Sequence, residues 1–288
     1  LSDATIAQRV AKVKEAGANY IAISSFYTNP GCGNALTYLT KWVTAARAEG
    51  LKVWFRLSDL SFEGDYSTTK ARDPDGARHM KTMSDWIIAN KTLFAADDIF
   101  TPQPEPQNGG ISGINSCGSL CQFTSASDFN NWLRQATLTA KLSLQAADVT
   151  NVKVGYWGFD GFITWGNDNP DHIGTSKIEA KTVEFMDNLI TIDHYNSAES
   201  MAIDLDQART QWPSADLCIG EWGTIDQTTP AAREAAVIDR FTAFNRSYIK
   251  CVNYWHLGPD GTNEPLINSD NTNKAHFDEV KDFFTGVR

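Results

Sequence analysis

Apolar residues recur along the chain in two alternating patterns, one with the period of a helix and one typical of a buried strand. Ile6, Val10 and Val13 are spaced as on one helix face, the pattern stops at Gly17, and the apolar segment 20–23 follows. The same alternation repeats to the end of the chain. It predicts strands over 20–23, 52–57, 98–100, 152–156, 189–195, 217–221 and 252–255. It predicts helices over 6–13, 36–46, 80–87, 126–147, 176–188 and 198–211, from 230 onward, and over 274–285.

The order of these elements predicts the α/β class. Strands separated by helices of this length need right-handed crossovers and therefore form a parallel sheet. Seven such units in succession, with no Gly/Ser/Pro-rich linker, favour a single (β/α)8 TIM barrel over residues 1–288. The chain opens in a helix, however, and a wall of seven strands would leave two unpaired edges facing each other. We therefore expect the first barrel strand to lie upstream of residue 1, or an irregular segment to fill its place.

The charge of the chain narrows the class of partner. A formal net charge of -10 opposes binding to nucleic acid or to an anionic membrane, because neither is attracted to a field of that sign. No apolar run approaches the roughly 20 residues that span a bilayer, and no segment has the basic start and apolar middle of a cleavable signal. We expect no nucleic-acid or membrane partner. A neutral or cationic substrate remains open.

Five cysteines are too few for a disulfide-built fold of this length, and their odd number leaves at least one thiol free. Cys117 and Cys121, in a polar loop, are the favoured pair. Without a second Cys/His cluster they offer no complete tetrahedral set, so no metal site is predicted. Cys218 and Cys251 fall inside apolar strand patterns and are predicted to be small buried packing residues.

Reactive side chains of such barrels gather where strands end and the following loops begin. The predicted strand ends carry Phe26, Tyr27, Arg56, Asp59, Gln103, Glu105, Trp157, Asp160, Asp193, His194, Tyr195, Glu221, Trp222, Asn253, Trp255 and His256. Cleavage of a glycosidic bond needs two carboxyls, one protonated as donor and one ionised as nucleophile. Glu105 and Glu221 fit these roles, since they close the fourth and seventh strands when the missing strand is counted first. Across the barrel mouth they could approach to roughly 5 Å, the separation for retention.

Two segments around these glutamates resemble the clan A glycoside hydrolases, which include cellulases and mannanases. The segment 219–223, Ile-Gly-Glu-Trp-Gly, resembles the clan's seventh-strand nucleophile segment. The segment 104–106, Pro-Glu-Pro, falls where the clan carries a fourth-strand Asn-Glu-Pro whose glutamate is the acid/base. Pro104 departs from this pattern. The clan's asparagine at that position contacts the sugar 2-hydroxyl, and a proline side chain cannot make that contact. Gln103 or Asn253 could replace that contact.

Two further segments extend the resemblance in strand order. The segment 193–195, Asp-His-Tyr, resembles the sixth-strand segment whose tyrosine or histidine hydrogen-bonds the nucleophile and the substrate. The segment 253–255, Asn-Tyr-Trp, resembles the eighth-strand segment whose tryptophan stacks under the sugar. Arg56 could hydrogen-bond Glu221 and favour its ionised form.

The resemblance implies a retaining glycosidase without a cofactor or metal, acting on a polysaccharide or oligosaccharide, and expected to be a secreted, extracellular monomer. Glu221 is then the nucleophile and Glu105 the acid/base. The expected substrate-binding residues are Arg56, Gln103, Trp157, His194, Tyr195, Trp222, Asn253 and Trp255.

The long Gly/Asn-rich segments 107–122 and 159–174 are predicted to wall a groove, which favours an endo-acting cut. Strand-end tryptophans favour flat, equatorial sugars and hence a β-linked glucan or mannan. A non-catalytic carbohydrate-binding barrel, its chemistry lost through Pro104, is the alternative. A phosphate-substrate aldolase or isomerase would need a glycine-rich phosphate loop and a lysine or metal cluster, which the last strand ends do not offer.

Overall fold

Helices and strands alternate along the chain in the computed structural model, which describes residues 1–28, 34–58, 77–111, 123–158, 177–195, 197–224, 227, 229–258 and 265–286. The strands are β1 (Tyr20–Phe26), β2 (Lys52–Ser58), β3 (Ile99–Thr101), β4 (Lys153–Val154), β5 (Leu189–Asp193), β6 (Asp216–Glu221) and β7 (Ile249–Val252). The α-helices are α1 (Asp3–Glu15), α2 (Ala35–Ala48), α3 (Ala77–Ala89), α4 (Ala126–Ala146), α5 (Ala180–Phe185), α6 (Ala198–Gln211), α7 (Pro230–Phe244) and α8 (Phe277–Thr285). Short 3-10 helices span Lys91–Leu93 and Pro106–Gly109. None of the described helices is both long and apolar enough to cross a membrane.

Side-chain caps fix where several helices begin. The Ser2, Ser125 and Thr229 hydroxyls accept from backbone N–H groups in the first turns of α1, α4 and α7. These bonds satisfy N–H groups that the helix itself cannot. Pro230 follows Thr229 in the first turn of α7, where its missing N–H costs nothing. The helices therefore begin close to where the sequence patterns place them.

The strands form one parallel wall in chain order. One sheet has the order β1-β2-β3-β4 and another the order β5-β6-β7. A parallel bridge between Tyr156 and Ile190 joins them just beyond β4. All five neighbouring strand pairs within these sheets are parallel, with register shifts in the β5–β6 and β6–β7 pairs. This is the predicted α/β arrangement.

A groove separates the two ends of the wall. In the described part of the chain no ladder joins β7 to β1, and a groove of about 1050 Å³ lies between them. Residues such as Tyr20, Ala22 and Val252 line it, and it reaches Arg56 and Trp255. It occupies the position that the sequence pattern assigns to a further strand. The location of that strand stays a prediction.

Apolar side chains fill both faces of the wall. Trp54, Ile99, Trp157, Leu189 and Cys218 form the layer inside the barrel. Two larger clusters lie between the strands and the helices. The alternation of side chains along each strand divides residues between these layers. Inward-facing residues near the strand ends therefore reach the barrel mouth.

Several elements differ from their predicted bounds, and three of them illustrate how. The helix predicted over 176–188 is limited to α5, because Asp187 and Asn188 adopt φ of 51° and 57°, which no helix tolerates. The strand predicted over 152–156 is a ladder of two residues followed by the isolated bridge of Tyr156. The strand predicted over 252–255 is β7, three residues earlier at each end. The aromatic residues after Val252 extend the apolar run beyond the end of the ladder.

Cys218 and Cys251 form a disulfide that was not predicted. Cys218 is a buried core residue, as predicted, and the partly buried Cys251 packs against the same cluster. They are register partners on β6 and β7 with Cα atoms 4.6 Å apart, close enough for a bond. A separation of 33 residues along the chain gives no sign of that pairing. The predicted pair Cys117 and Cys121 lies outside the described residues.

Candidate active site

Glu221 ends β6 and accepts hydrogen bonds from three side chains on three other segments. Arg56 Nη2 lies 2.8 Å from Oε1, and Trp157 Nε1 donates to the same oxygen at 3.3 Å. The Tyr195 hydroxyl donates to Oε2 at 3.0 Å. Both carboxylate oxygens are therefore oriented, and one of them faces a cation.

Arg56 lies inside the barrel on β2, between aromatic rings and acids. Its guanidinium carbon is 4.1 Å from the centre of the Trp157 ring and 5.5 Å from that of Trp255. Its Nη2 is also 3.9 Å from Glu105 Oε1. A guanidinium stacks on aromatic faces while its edge still donates, which suits this position. Arg56 therefore places one buried positive charge close to both glutamates.

Glu105 follows β3 in a turn that holds its backbone in an unusual conformation. Its φ and ψ are 45° and 48°, the left-handed region, and its N–H donates to the Trp157 carbonyl at 2.7 Å. Pro106 then begins a short 3-10 helix. A left-handed conformation at a residue other than glycine costs about 1 kcal/mol or more, and it persists only where its surroundings impose it. The direction of the Glu105 side chain is therefore set by the turn.

The two glutamates meet at the barrel mouth together with Asp193. Carboxyl oxygens of Glu105, Asp193 and Glu221 lie within 4.8 Å of one another, and all three residues are buried. Among the described residues, these three side chains are close enough to bind one metal ion together. Arg56 already places a cation against this group, so we assign no metal to it.

Asp193 is the site residue that the sequence patterns identified only as a strand end. It is fully buried at the end of β5. Burial raises the pKa of its carboxyl well above the ordinary value, and the negative charges of Glu221 and Glu105 raise it further, while Arg56 opposes the shift. The alternation Leu189, Thr191, Asp193 on the inner face of β5 is the signal that could have identified it.

His194 and Trp222 direct their side chains to partners other than the three carboxyls, and their predicted contact with substrate stays a prediction. His194 Nε2 is 2.6 Å from Asp204 on α6, and both side chains are fully buried. Trp222 is fully buried and packs edge-on against Phe241 and other aromatic rings. Each follows an inward-facing residue near a strand end, so alternation turns it toward the helices.

The other predicted substrate-binding residues lie at or near the cluster. Trp157, Tyr195 and Arg56 contact Glu221 directly. Gln103 is buried in the turn before Glu105. Asn253 Nδ2 donates to the Ile219 carbonyl at 3.3 Å, and its residue lines the groove. Half-buried Trp255 lines the groove too and precedes a cis peptide bond to His256.

Comparison with known proteins rests on structure. No protein-family model matches the sequence, and no curated protein matches it. Solved structures match it over nearly its whole length. A glycoside hydrolase family 5 lichenase from Caldicellulosiruptor sp. F32, in complex with cellotetraose, superposes with a TM-score of 0.61 at 15% identity, covering 98% of this chain and 84% of that chain.

Two other structures give the same result. The glycoside hydrolase family 1 β-glucosidase from Exiguobacterium antarcticum B7 has a TM-score of 0.65 at 10% identity, covering 96% of this chain and 85% of that chain. The mannanase catalytic domain from Streptomyces sp. SirexAA-E has a TM-score of 0.57 at 16% identity, covering 95% and 78%. Likeness at these identities shows the fold. The chain therefore has the (β/α)8-barrel fold of the clan A glycoside hydrolases.

Proposed function

We propose that this chain is a retaining glycoside hydrolase that cleaves a β-linked polysaccharide, with Glu221 as nucleophile and Glu105 as acid/base. One observation carries the proposal: these side chains present carboxyl oxygens within 4.8 Å of each other at the barrel mouth. Retaining enzymes hold their carboxyls about 5 Å apart, whereas inverting enzymes need roughly 6.5–9.5 Å to admit a water molecule.

The first step forms a covalent bond to Glu221. A Glu221 oxygen attacks the anomeric carbon, the bond from that carbon to the leaving oxygen breaks, and Glu105 gives its proton to that oxygen. In the second step Glu105 takes a proton from water, the water oxygen attacks the anomeric carbon, and the bond to Glu221 breaks. Arg56, Trp157 and Tyr195 hold Glu221 for attack.

A β-linked glucan or mannan, cut within the chain, is the substrate class we propose. Trp255 faces the groove beside Arg56 and offers a flat face on which an equatorial sugar can stack. The lichenase that this fold resembles was solved with cellotetraose, and another similar structure is a mannanase. Both likenesses support this class.

We propose further that the protein acts as a secreted monomer. The Cys218–Cys251 disulfide supports an extracellular location, because disulfides persist in oxidising compartments.

Glutamine substitutions test the two catalytic roles. Glu221→Gln should abolish hydrolysis, because an amide cannot attack, and Glu105→Gln should lower kcat on unactivated oligosaccharides about 10²–10⁴-fold. Glu184→Gln, an exposed glutamate on α5, is the matched control and should behave as the wild type. Reducing-sugar release across a panel of glucans and mannans measures all four proteins. Unaltered hydrolysis by Glu221→Gln would show that the nucleophile is wrong.

Stereochemistry tests retention independently. Proton NMR of the first product should show the β-anomer before mutarotation, and the α-anomer would contradict the roles assigned here. With azide and an activated aryl β-glycoside, Glu105→Ala should yield the β-glycosyl azide and Glu221→Gly the α-glycosyl azide. The first azide attacks the covalent intermediate, and the second takes the place of the missing nucleophile. If wild-type protein binds the polysaccharides but hydrolyses none, it is a carbohydrate-binding barrel.

A further inference from the structure

Asp193 is a third carboxyl at the site, and the two-step reaction does not use it. It is 2% exposed, and its nearest ionisable neighbours include the acid/base and the nucleophile. Among the described residues no hydrogen-bond donor contacts either of its oxygens. A buried carboxylate without donors is costly, so such a group keeps its proton. A protonated carboxyl is itself a donor.

The fold makes room for this carboxyl at Gly220. A Cβ atom on Gly220 would lie 2.2 Å from Asp193 Oδ1 and 2.8 Å from Thr191 Oγ1. A side chain at this position would therefore force the Asp193 carboxyl to move. Asp193 pairs with Glu221 across a register shift between β5 and β6. The inward position of the Asp193 side chain is therefore built into both strands.

The charges facing Asp193 do not balance if all three carboxyls ionise. Glu221 faces it from β6, Glu105 from the turn after β3 and Arg56 from β2, and the Tyr195 hydroxyl is bonded to Glu221. Arg56 lies 2.8 Å from Glu221 and 3.9 Å from Glu105. One guanidinium offsets one carboxylate well. A second and third buried negative charge would repel each other with no counter-charge.

Resting on the proposed function, we propose that Asp193 is a positioning residue that stays protonated throughout the cycle and donates a hydrogen bond to Glu105. The bond strengthens when Glu105 gives its proton to the leaving oxygen and becomes a carboxylate. Asp193 neither gains nor loses a proton, so the balance of both steps is unchanged. The stabilised carboxylate makes Glu105 a stronger acid toward a poor leaving group.

Two substitutions separate the donor from the charge. Asp193→Asn keeps a donor and removes the proton that could be lost, whereas Asp193→Leu removes the donor at similar volume. Asp239→Asn, an exposed aspartate on α7, is the matched control. The measurement is kcat/KM against pH for an unactivated oligosaccharide and for an aryl glycoside whose leaving group needs no proton.

Asp193→Asn should leave the alkaline limb of the profile where it is in the wild type. Asp193→Leu should move that limb up by about one pH unit and lower kcat/KM on the oligosaccharide about tenfold, with little change on the aryl glycoside. If Asp193 had only a structural role, kcat/KM would fall equally for both substrates, and the alkaline limb of the pH profile would not move. A downward shift of about one pH unit in Asp193→Asn would show that Asp193 is ionised, and would overturn the proposal.

An infrared titration keeps the proposal testable if Asp193→Leu does not fold. Glu105→Gln should retain the carbonyl band of a protonated carboxyl at pH 7, and the double variant Glu105→Gln/Asp193→Asn should lose it. Absence of the band in Glu105→Gln would overturn the proposal. This result is independent of hydrolysis. Failure of the proposed function would instead appear as a wild-type protein that cleaves none of the substrates.

Discussion

Arg56 is the non-acidic side chain that links the parts of the site, since it contacts two tryptophan rings and faces both glutamates. It stacks near Trp157 and Trp255 while its Nη2 faces Glu221 and, at longer range, Glu105. Removing one partner of a buried ion pair leaves the other uncompensated. The guanidinium therefore stabilises the fold of the barrel mouth and orients the nucleophile at the same time.

Arg56 substitutions should separate these two effects. Arg56→Lys keeps the charge but loses the flat fork, and Arg56→Met loses both, so we expect kcat to fall about 10-fold and about 10²–10³-fold, respectively. Arg56→Met should also lower the free energy of unfolding by about 3–5 kcal/mol, because Glu221 is left without its cation. Steady-state kinetics and urea unfolding measure both. Equal losses of kcat in the two variants would contradict a role for the charge.

Strand alternation decides which of the predicted residues the structure brings to the carboxyl cluster. Arg56, Trp157, Tyr195 and Glu221 are found together, as their positions at strand ends predicted. His194 was predicted to contact substrate, but its inward-facing neighbour Asp193 occupies the cluster. Sequence alone marks where a strand ends within two or three residues, and an error of one residue exchanges the two faces. The face of a residue at a strand end therefore had to come from the structure.

The element that carries Glu105 is a turn rather than a strand. Pro104 and Pro106 flank a left-handed residue whose N–H is bonded to the Trp157 carbonyl. Prolines on both sides are typical of a turn. The backbone conformation was not predictable, because glutamate rarely adopts it and the bond that imposes it comes from beyond β4.

The disulfide ties β7 to its neighbour β6 and should contribute to stability. Replacing Cys218 and Cys251 with serine should lower the free energy of unfolding by about 2–4 kcal/mol, because the unfolded chain regains the freedom of a loop closed across 33 residues. KM should rise as well, since Trp255 follows β7. Urea unfolding and steady-state kinetics measure these effects.

A reductant provides the matched control for this variant. It should shift the wild type toward the serine variant and leave the variant itself unchanged. Equal effects of reductant on both proteins would show that the loss comes from elsewhere.

The strand wall as a whole was predictable, and its closure was not. Seven strands alternating with helices predicted a parallel wall in chain order, which the structure has. The predicted bounds of an element were wrong where a local backbone conformation ended the helix or strand, as at Asp187 before β5. The disulfide was not predicted, because periodicity carries no information about contacts between residues 33 positions apart.

The buried charge cluster should make stability depend on pH. Asp193 has a raised pKa in the folded state, so the folded protein holds a proton that the unfolded chain releases above about pH 4. Stability from this group is complete below that pH and is lost as pH rises toward the folded pKa. The difference in unfolding free energy between Asp193→Asn and wild type should shift in favour of the variant by up to about 1.4 kcal/mol per pH unit above pH 4. Urea unfolding at pH 4.5 and pH 7.5 tests this, and a constant difference would contradict it.

Cys218 and Cys251 both line the groove between β1 and β7, although the first is fully buried and the second half-buried. A small reductant entering by the groove would therefore meet the disulfide without unfolding the barrel. The two thiols released could then be trapped by an alkylating reagent. Any segment bound in the groove would shield the thiols. The rate of alkylation in the folded protein therefore measures whether the groove between β1 and β7 is empty or filled.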